Sequence, residues 1–574
     1  MLSPAQREFL RMTIYQIWPR SFLDTNGDGI GDLPGVLAKL DYLRDLGVNT
    51  LWLSPCFQSP NDDNGYDVSD YRAIMPEFGT MADLDALVAA AHARGMKILL
   101  DLVPNHTSTA HRWFQESRHD PDGPYGNYYY WFDEPPNDWQ SMFLGSAWEY
   151  DDVRGQYYLH SFAVSQADLN WEEPAVRREM REIVDFWVGR GVDGFRIDTI
   201  DFISKDFPEG RNSFGPRLHE FIQELFGRTE TAGLFTVGES FVTDIDEMSR
   251  HCASGRGELS TLILFDHLEA GRTDKFTPLP DHVGDSTAGS PSMRFLRDHL
   301  IRWQRETAEH DLLYTLYSDS HDQPPMISRA ADDDALRYES ATCLAAMLYL
   351  LKGVPIIYQG QEIGVTSARY ESIDCFDDVE TINVYKELCR HMSPQEALTK
   401  INFGSRDNAR RPIAWTAGAN GGFTSGTPWI PLHTRYREVN VEADLYAPEA
   451  PESGSSAAAG GSRSVYRFYQ ALLKLRREHG AFLDGAFDVL SAPEDDCFVF
   501  TRALPASAWP SDNDSTGAET ADRKETWAVI CNFGAEREIA LHFECEPPAL
   551  TNLGRASADG VYAPYECAAA RVIR

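Results

Sequence analysis

The 574-residue sequence has no run of 18 consecutive apolar residues, so hydropathy gives no candidate for a membrane-spanning helix. Its first residues, MLSPAQREFLRMTIYQIW, lack the basic segment, apolar stretch and small-residue cleavage site of a secretory signal, and the expected location is the cytoplasm. The nine cysteines (Cys56, Cys252, Cys343, Cys375, Cys389, Cys497, Cys531, Cys545, Cys567) are odd in number, scattered and without a C-x-x-C pair, which argues against a disulfide framework and a zinc site. Positive charge is scarce as well. Lys plus Arg number 52 against 88 Asp plus Glu, a net charge of -36 that repels phosphate backbones and anionic bilayers, so nucleic acid and membrane are not expected partners. Apolar residues make up 43% of the chain, too many for a globally disordered one.

What is present is an alternation. Eight short β-branched or aromatic runs, MTIYQIW (12–18), TLWLSP (50–55), KILLDLV (97–103), GFRID (194–198), LFTVGE (234–239), TLILF (261–265), LLYTLYS (312–318) and PIIYQG (355–360), are separated by amphipathic stretches. Met293, Leu296, Leu300 and Trp303 line one face of such a stretch, and Val465 to His479 forms another. Eight βα units predict an α/β fold, a (β/α)8 TIM barrel. The connection from His106 to Glu173 far exceeds the usual βα loop and is expected to be an inserted subdomain after strand 3. From Ala486 the alternation in FVFTRAL, WAVICNF and EIALHF predicts a C-terminal antiparallel β domain. The expected boundaries are 1–105 and 174–485 for the barrel, 106–173 for the insert and 486–574 for a β-sandwich. Ala447 to Ser464 and Pro505 to Arg523, rich in Ala, Ser, Gly, Asp and Pro, read as surface loops.

In a parallel barrel the reacting groups stand at the C-terminal ends of strands. Asp101, Asn105 and His106 follow the third run, Arg196 and Asp198 the fourth, Glu239 the fifth, and His321 with Asp322 the seventh. Singly, each carboxylate reads equally well as a helix N-cap. Together with YQIWPRSFLDTNGDGIGDLPG, NGYDVSDYRAI, GVDGFRIDTIDFISK, GVPIIYQGQEIG and INFGSRDNARRPIAW, they resemble the α-amylase superfamily of glycoside hydrolases, family 13, and within it the oligo-1,6-glucosidase and α-glucosidase branch.

The resemblance implies Asp198 as nucleophile, Glu239 as general acid and base, and Asp322 as a third carboxylate that stabilises the transition state. Cleavage through an oxocarbenium-like state requires one protonated and one charged carboxyl, which suits this set. Arg196, two residues before Asp198 and so on the same strand face, is expected to keep the nucleophile ionised. By resemblance His106 and His321 bind glucose hydroxyls, Tyr66 and Phe162 supply apolar faces, and Asp67 with Arg406 pins the non-reducing end, Arg410 being the alternative partner. Thr199, after the nucleophile, leans the expected linkage towards α-1,4, whereas Glu380 resembles a residue of enzymes that accept isomaltose. The expected activity is therefore a retaining, exo-acting α-glucosidase on small oligosaccharides. Alternatives are an oligo-1,6-glucosidase, a sucrose- or trehalose-handling isomerase, and, remotely, an inactive binding subunit.

Asp24, Asn26, Asp28, Ile30 and Asp32 carry the D-x-N-x-D-G-x-x-D spacing of a calcium loop, but Gly35 stands where an EF-hand needs Glu. They resemble the family's structural divalent-ion loop, so a structural Ca2+ or Mg2+ is expected and no cofactor for catalysis. Against the branch's usual NHDQPR, this chain reads Ser320, His321, Asp322, Gln323, Pro324, Pro325. Gln361 and Ala167 depart from the family pattern too.

Overall fold

The computed structural model describes residues 2–269, 275–276, 291–447, 463–504, 525–553 and 560–573. Most of both segments read as surface loops, 448–462 and 505–523, lies outside the described residues.

All eight runs form parallel strands: β1 (Ile14–Ile17), β2 (Thr50–Leu53), β3 (Lys97–Leu102), β4 (Gly194–Ile197), β5 (Phe235–Ser240), β6 (Thr261–Leu264), β7 (Thr315–Leu316) and β8 (Val354–Tyr358). The hydrogen-bonded order runs β6, β5, β4, β3, β2, β1, β8, β7. The strands β1, β2, β4, β5, β6, β7 and β8 are buried at every position, as expected of parallel strands covered on both faces. Side chains join β6 to β7 and close the barrel. Thr261 donates to the Leu313 carbonyl (2.9 Å), Thr315 to that of Leu262 (2.8 Å) and Tyr317 to that of Leu264 (2.6 Å).

The outer helices start where local chemistry allows. Thr80 and Asp83 form a capping box on Met81–His92, and Glu173 caps Pro174–Val188, whose Val176, Met180, Ile183, Val184 and Trp187 face the core. Met293, Leu296, Leu300 and Trp303 are fully buried on Pro291–Glu309, and Ser464 caps Val465–Glu478. Between β3 and β4 the chain builds a helix (Arg112–His119), a two-stranded sheet that pairs His106–Ser108 with Gln166–Asp168, and a three-stranded sheet of Trp131–Phe132, Gln156–Leu159 and Trp148–Asp151. The first pairing folds the insert back over the mouth of β3.

After Gly485 a five-stranded antiparallel sheet packs one face on the helix Arg337–Tyr349. Its other face is covered by Ile539, Leu541, Phe543 and Cys545. Among the described residues the second layer contains only the short ribbon Arg537–Glu538 with Val561–Tyr562, less than the full sandwich the alternation suggested. Among the described residues no helix is long and apolar enough to cross a membrane.

Candidate active site

The ladder sets the central pair. Ile197 of β4 pairs with Gly238 of β5, so Asp198 and Glu239 leave adjacent strands side by side. Neighbouring strands lie about 4.8 Å apart, so the two carboxyls start from bases that close together. Arg196, 2% exposed, lies beneath them. One terminal nitrogen donates to Asp101 (2.6 Å) and Asp198 (2.8 Å), the other to Glu239. The backbone turns immediately beyond. Thr199 adopts φ 39° and ψ 48°, a strained left-handed conformation for a β-branched residue. There its hydroxyl donates to Asp198 Oδ2 (3.1 Å) and its amide to Glu239 Oε2 (3.3 Å).

The same burial acts differently on the neighbouring acids. Burial pushes the Glu239 carboxyl well above the usual carboxylate range, against the pull of Arg196 and with the push of Asp198 and Asp322. Burial also raises Asp322, but His321, Arg406 and Arg410 outweigh it and hold that carboxyl well below its ordinary value. The result is one carboxyl raised beside one lowered, the kind of separation that acid–base catalysis by neighbouring carboxyls uses. Asp101, pushed up to about 7 by burial, supports Arg196 from behind, as does the Trp52 indole that donates to it (3.0 Å).

These groups open onto a cavity of about 350 Å³. Among the expected site residues Tyr66, His106, Phe162, Asp198, Thr199, Glu239, Asp322, Glu380 and Arg406 line it. Arg196, His321 and Arg410 stand behind the lining. His321 is stacked between Trp18 and Tyr66 and is held by Gln16 (2.8 Å), Tyr66 (2.5 Å) and Asp322 (2.9 Å). Arg410 donates to the His321 carbonyl (2.9 Å) and to Asp322 (3.2 Å), so it orients the third carboxylate.

The expected pairing of Asp67 with an arginine is corrected. Asp67 is 0% exposed, and its carboxylate accepts from the Ser59 hydroxyl (2.8 Å) and from the amides of Asp62 (3.0 Å) and Asp63 (3.1 Å). It folds the loop; Asp63 is the residue that faces the cavity. Arg406 lies 3.2 Å from Asp63, 3.3 Å from Asp322 and 3.3 Å from Glu380, and is anchored from behind by Asp378. It also sits over the Phe143 ring. Burial pushes Asp63 up to about 7, against Arg406 and Arg410. Sequence reasoning missed Asp63, Asp378, Phe143 and the cavity-lining Phe241 and Lys275, the last of which pairs with Glu380. The acidic run NDDNGYD was the available signal for Asp63, and DDVE for Asp378. At the unusual Pro325, Arg329 one turn later reaches back to the Pro324 carbonyl (2.9 Å) and Gln323 (3.3 Å).

Among the described residues two places are candidates for a cation. In the loop 24–32, Asp24 accepts from the amides of Asn26, Gly27 and Gly29, Asn26 from that of Asp28, Asp28 from that of Ile30, and Asp32 from those of Thr25 and Gly35. The loop is pinned to Phe423, Thr424 and Trp429, and its side-chain donors are all oxygens, the donor type that Ca2+ or Mg2+ takes, although the Asp24, Asp28 and Asp32 carboxylates do not converge within 4.8 Å of one another. Elsewhere, ligand atoms of His219, Glu247 and His251 lie within 4.8 Å of one another. That set is closed on itself: His219 bridges Glu258 (2.7 Å) and Glu247 (3.1 Å), and His251 Nδ1 bonds the Glu247 carbonyl (3.0 Å).

Residues 16–485 match the model of the α-amylase catalytic domain. The chain is 44% identical over 515 residues to an oligo-1,6-glucosidase of Parageobacillus thermoglucosidasius, covering 86% of this chain and 87% of the relative. It is 40% identical to a trehalose-6-phosphate hydrolase of Bacillus subtilis, covering 86% and 87%. Its fold matches the crystal structure of a trehalulose synthase from Pseudomonas mesoacidophila with a TM-score of 0.86 at 32% identity, over 99% of each chain. With an eight-stranded barrel whose strand ends hold paired carboxylates, and with these likenesses across almost its whole length, the chain belongs to the α-amylase family and is a glycoside hydrolase.

Proposed function

We propose that this enzyme is a retaining, exo-acting α-glucosidase that removes terminal glucose from short oligosaccharides, with α-1,4 linkages preferred. The observation that supports the exo-acting reading is the Asp63–Arg406 pair, which lines the cavity together with the catalytic carboxylates and would close it beyond one non-reducing sugar. Asp198 attacks the anomeric carbon while Glu239 donates its proton to the leaving oxygen. The freed Glu239 carboxylate then takes a proton from the water that opens the glucosyl-enzyme ester. Adjacent strand ends suit the close carboxyl spacing of a retaining pair, about 5 to 5.5 Å, better than the wider gap that an inverting enzyme keeps for water. Asp322, held ionised by His321, Arg406 and Arg410, faces the developing positive charge.

Initial rates on maltose, isomaltose, sucrose, trehalose and trehalose 6-phosphate, with glucose and total sugar measured separately, test the substrate. Maltose should be the fastest and soluble starch slow, with glucose as the early product; rapid release of maltotriose or longer fragments contradicts a closed pocket. Thr199→Val should preserve turnover and raise the isomaltose-to-maltose ratio, within the roughly 1 to 3 kcal/mol that one pocket contact supplies. An unchanged ratio removes Thr199 as a determinant. The second reading, an α-1,6 preference, is favoured by Glu380 in the cavity and by the activity that names the Parageobacillus relative.

We propose further that Asp24, Asn26, Asp28, the Ile30 carbonyl and Asp32 bind a structural divalent cation, which would tie this loop to 423–429. A chelator should lower the melting temperature before it lowers activity, by mass action on the folded state. An unchanged melting temperature together with no divalent ion on elemental analysis reduces the loop to an acidic turn.

A further inference from the structure

The ladder between β4 and β5 ends at Ile197 and Gly238, one residue short of both proposed catalytic carboxylates. Each is held by its other neighbour, Asp198 through its amide to the Leu102 carbonyl of β3 (2.8 Å) and Glu239 by pairing with Ile263 of β6, but no further sheet bond joins the two strand ends to each other. Asp201 lies three residues past Asp198, in the short helix Ile200–Ile203, and is 0% exposed. Its carboxylate accepts the Ser240 hydroxyl at 2.9 and 3.0 Å and the Phe241 amide at 2.7 Å. Ser240 and Phe241 are the two residues that follow Glu239. A single buried side chain therefore laces the turn after the nucleophile to the end of the strand that carries the acid and base.

We propose that Asp201 is a positioning residue for the glycosidic reaction, setting the separation of Asp198 and Glu239 by tying their strand ends together. The inference rests on the catalytic reading of those two residues. The tie also braces the left-handed Thr199, which stands between Asp198 and Asp201 and reaches both catalytic carboxylates. All the donors Asp201 meets in its hydrogen bonds are an O–H and an N–H, so an acceptor-only carboxylate suits the position and an amide does not. The charged or titratable groups facing Asp201 from the packed helices are His219, Glu247 and His251, whose Nε2 is 3.9 Å away and has no hydrogen-bond partner. Burial pushes Asp201 up to about 7, against the bonds from Phe241 and Ser240.

The test uses Asp201→Ala, Asp201→Asn and Ser240→Ala in the full chain. A misplacement near 1 Å costs about 100-fold in rate, so Asp201→Ala should lose about that much in kcat while KM changes by less than about threefold. Asp201→Asn, which keeps one acceptor for Phe241, should lose less, and Ser240→Ala least. The basic limb of the kcat/KM profile should also move to lower pH in Asp201→Ala. Arg196, Asp198 and Asp322 face Glu239, and a more distant Asp198 lets Glu239 ionise sooner. If melting temperature falls but kcat per folded enzyme and the basic limb stay within about twofold of the parent, Asp201 is only structural and the proposal fails. Should Asp201→Ala not fold, an unmoved kcat and limb in Ser240→Ala overturns it alone. Full activity in Glu239→Gln would instead overturn the catalytic reading beneath it.

Discussion

Replacing Asp198 by Asn will lower the release of glucose by on the order of 10⁴-fold or more, the scale on which loss of a nucleophile stops a covalent mechanism. The substitution is nearly isosteric, and its one amide oxygen can still accept from Arg196 while its NH2 faces the Thr199 hydroxyl, which can turn to accept, so folding should survive. What disappears is the charge that forms the ester at the anomeric carbon. Single-turnover release of glucose from maltose, beside an unfolding curve, measures both quantities. Proton NMR of the parent enzyme's first product should show α-glucose. A variant that keeps a tenth of the parent's kcat, or a parent that releases β-glucose, would sink the retaining assignment.

The largest loss of stability is expected from Arg196→Met. Arg196 compensates three buried carboxyls, Asp101, Asp198 and Glu239, and removing one partner of a buried charged cluster costs about 3 to 5 kcal/mol. The sign with pH follows from Asp101 and Glu239, whose carboxyls burial already raises above their unfolded values. A raised carboxyl favours the fold while protonated and loses that contribution as pH climbs through its folded value. Without the guanidinium both rise further. The variant should therefore be closest to the parent in acid, and its deficit should grow over the window from the unfolded carboxyl values near about 4 up through the raised folded values, where the parent also loses stability but by less. Denaturant unfolding at the two ends of that window decides it. Equal destabilisation at both ends would mean that lost packing, not charge, is the cause.

The barrel strands were legible because parallel strands covered on both sides are written as continuous apolar runs. Even β7, only Thr315–Leu316 as a ladder, was visible in LLYTLYS, since its flanks are buried as well. The inner pocket wall was harder. The stretch from Asn61 to Asp67 contains three aspartates, and nothing in their order distinguishes the one that faces the cavity from the one that folds the loop. The choice is made by backbone turns at Asn61, Asn64 and Gly65, all with positive φ, which point Asp63 at Arg406 and bury Asp67 under two amides.

The sequence by itself determined the barrel, the strand ends that carry Asp198 and Glu239, and membership of the α-amylase family. Each is encoded in residues close together in the chain, where periodicity and motif spacing act. Tertiary structure alone decided which charges meet. Arg406 and Asp63 are 343 positions apart, Arg196 and Asp101 95, and Asp201 and Ser240 39. Whether such a pair forms depends on how the barrel closes and on which side chains lose water when it does. Burial then sets the protonation of Glu239 and Asp322, because desolvation and neighbouring charge act over a few ångströms of space and not along the sequence.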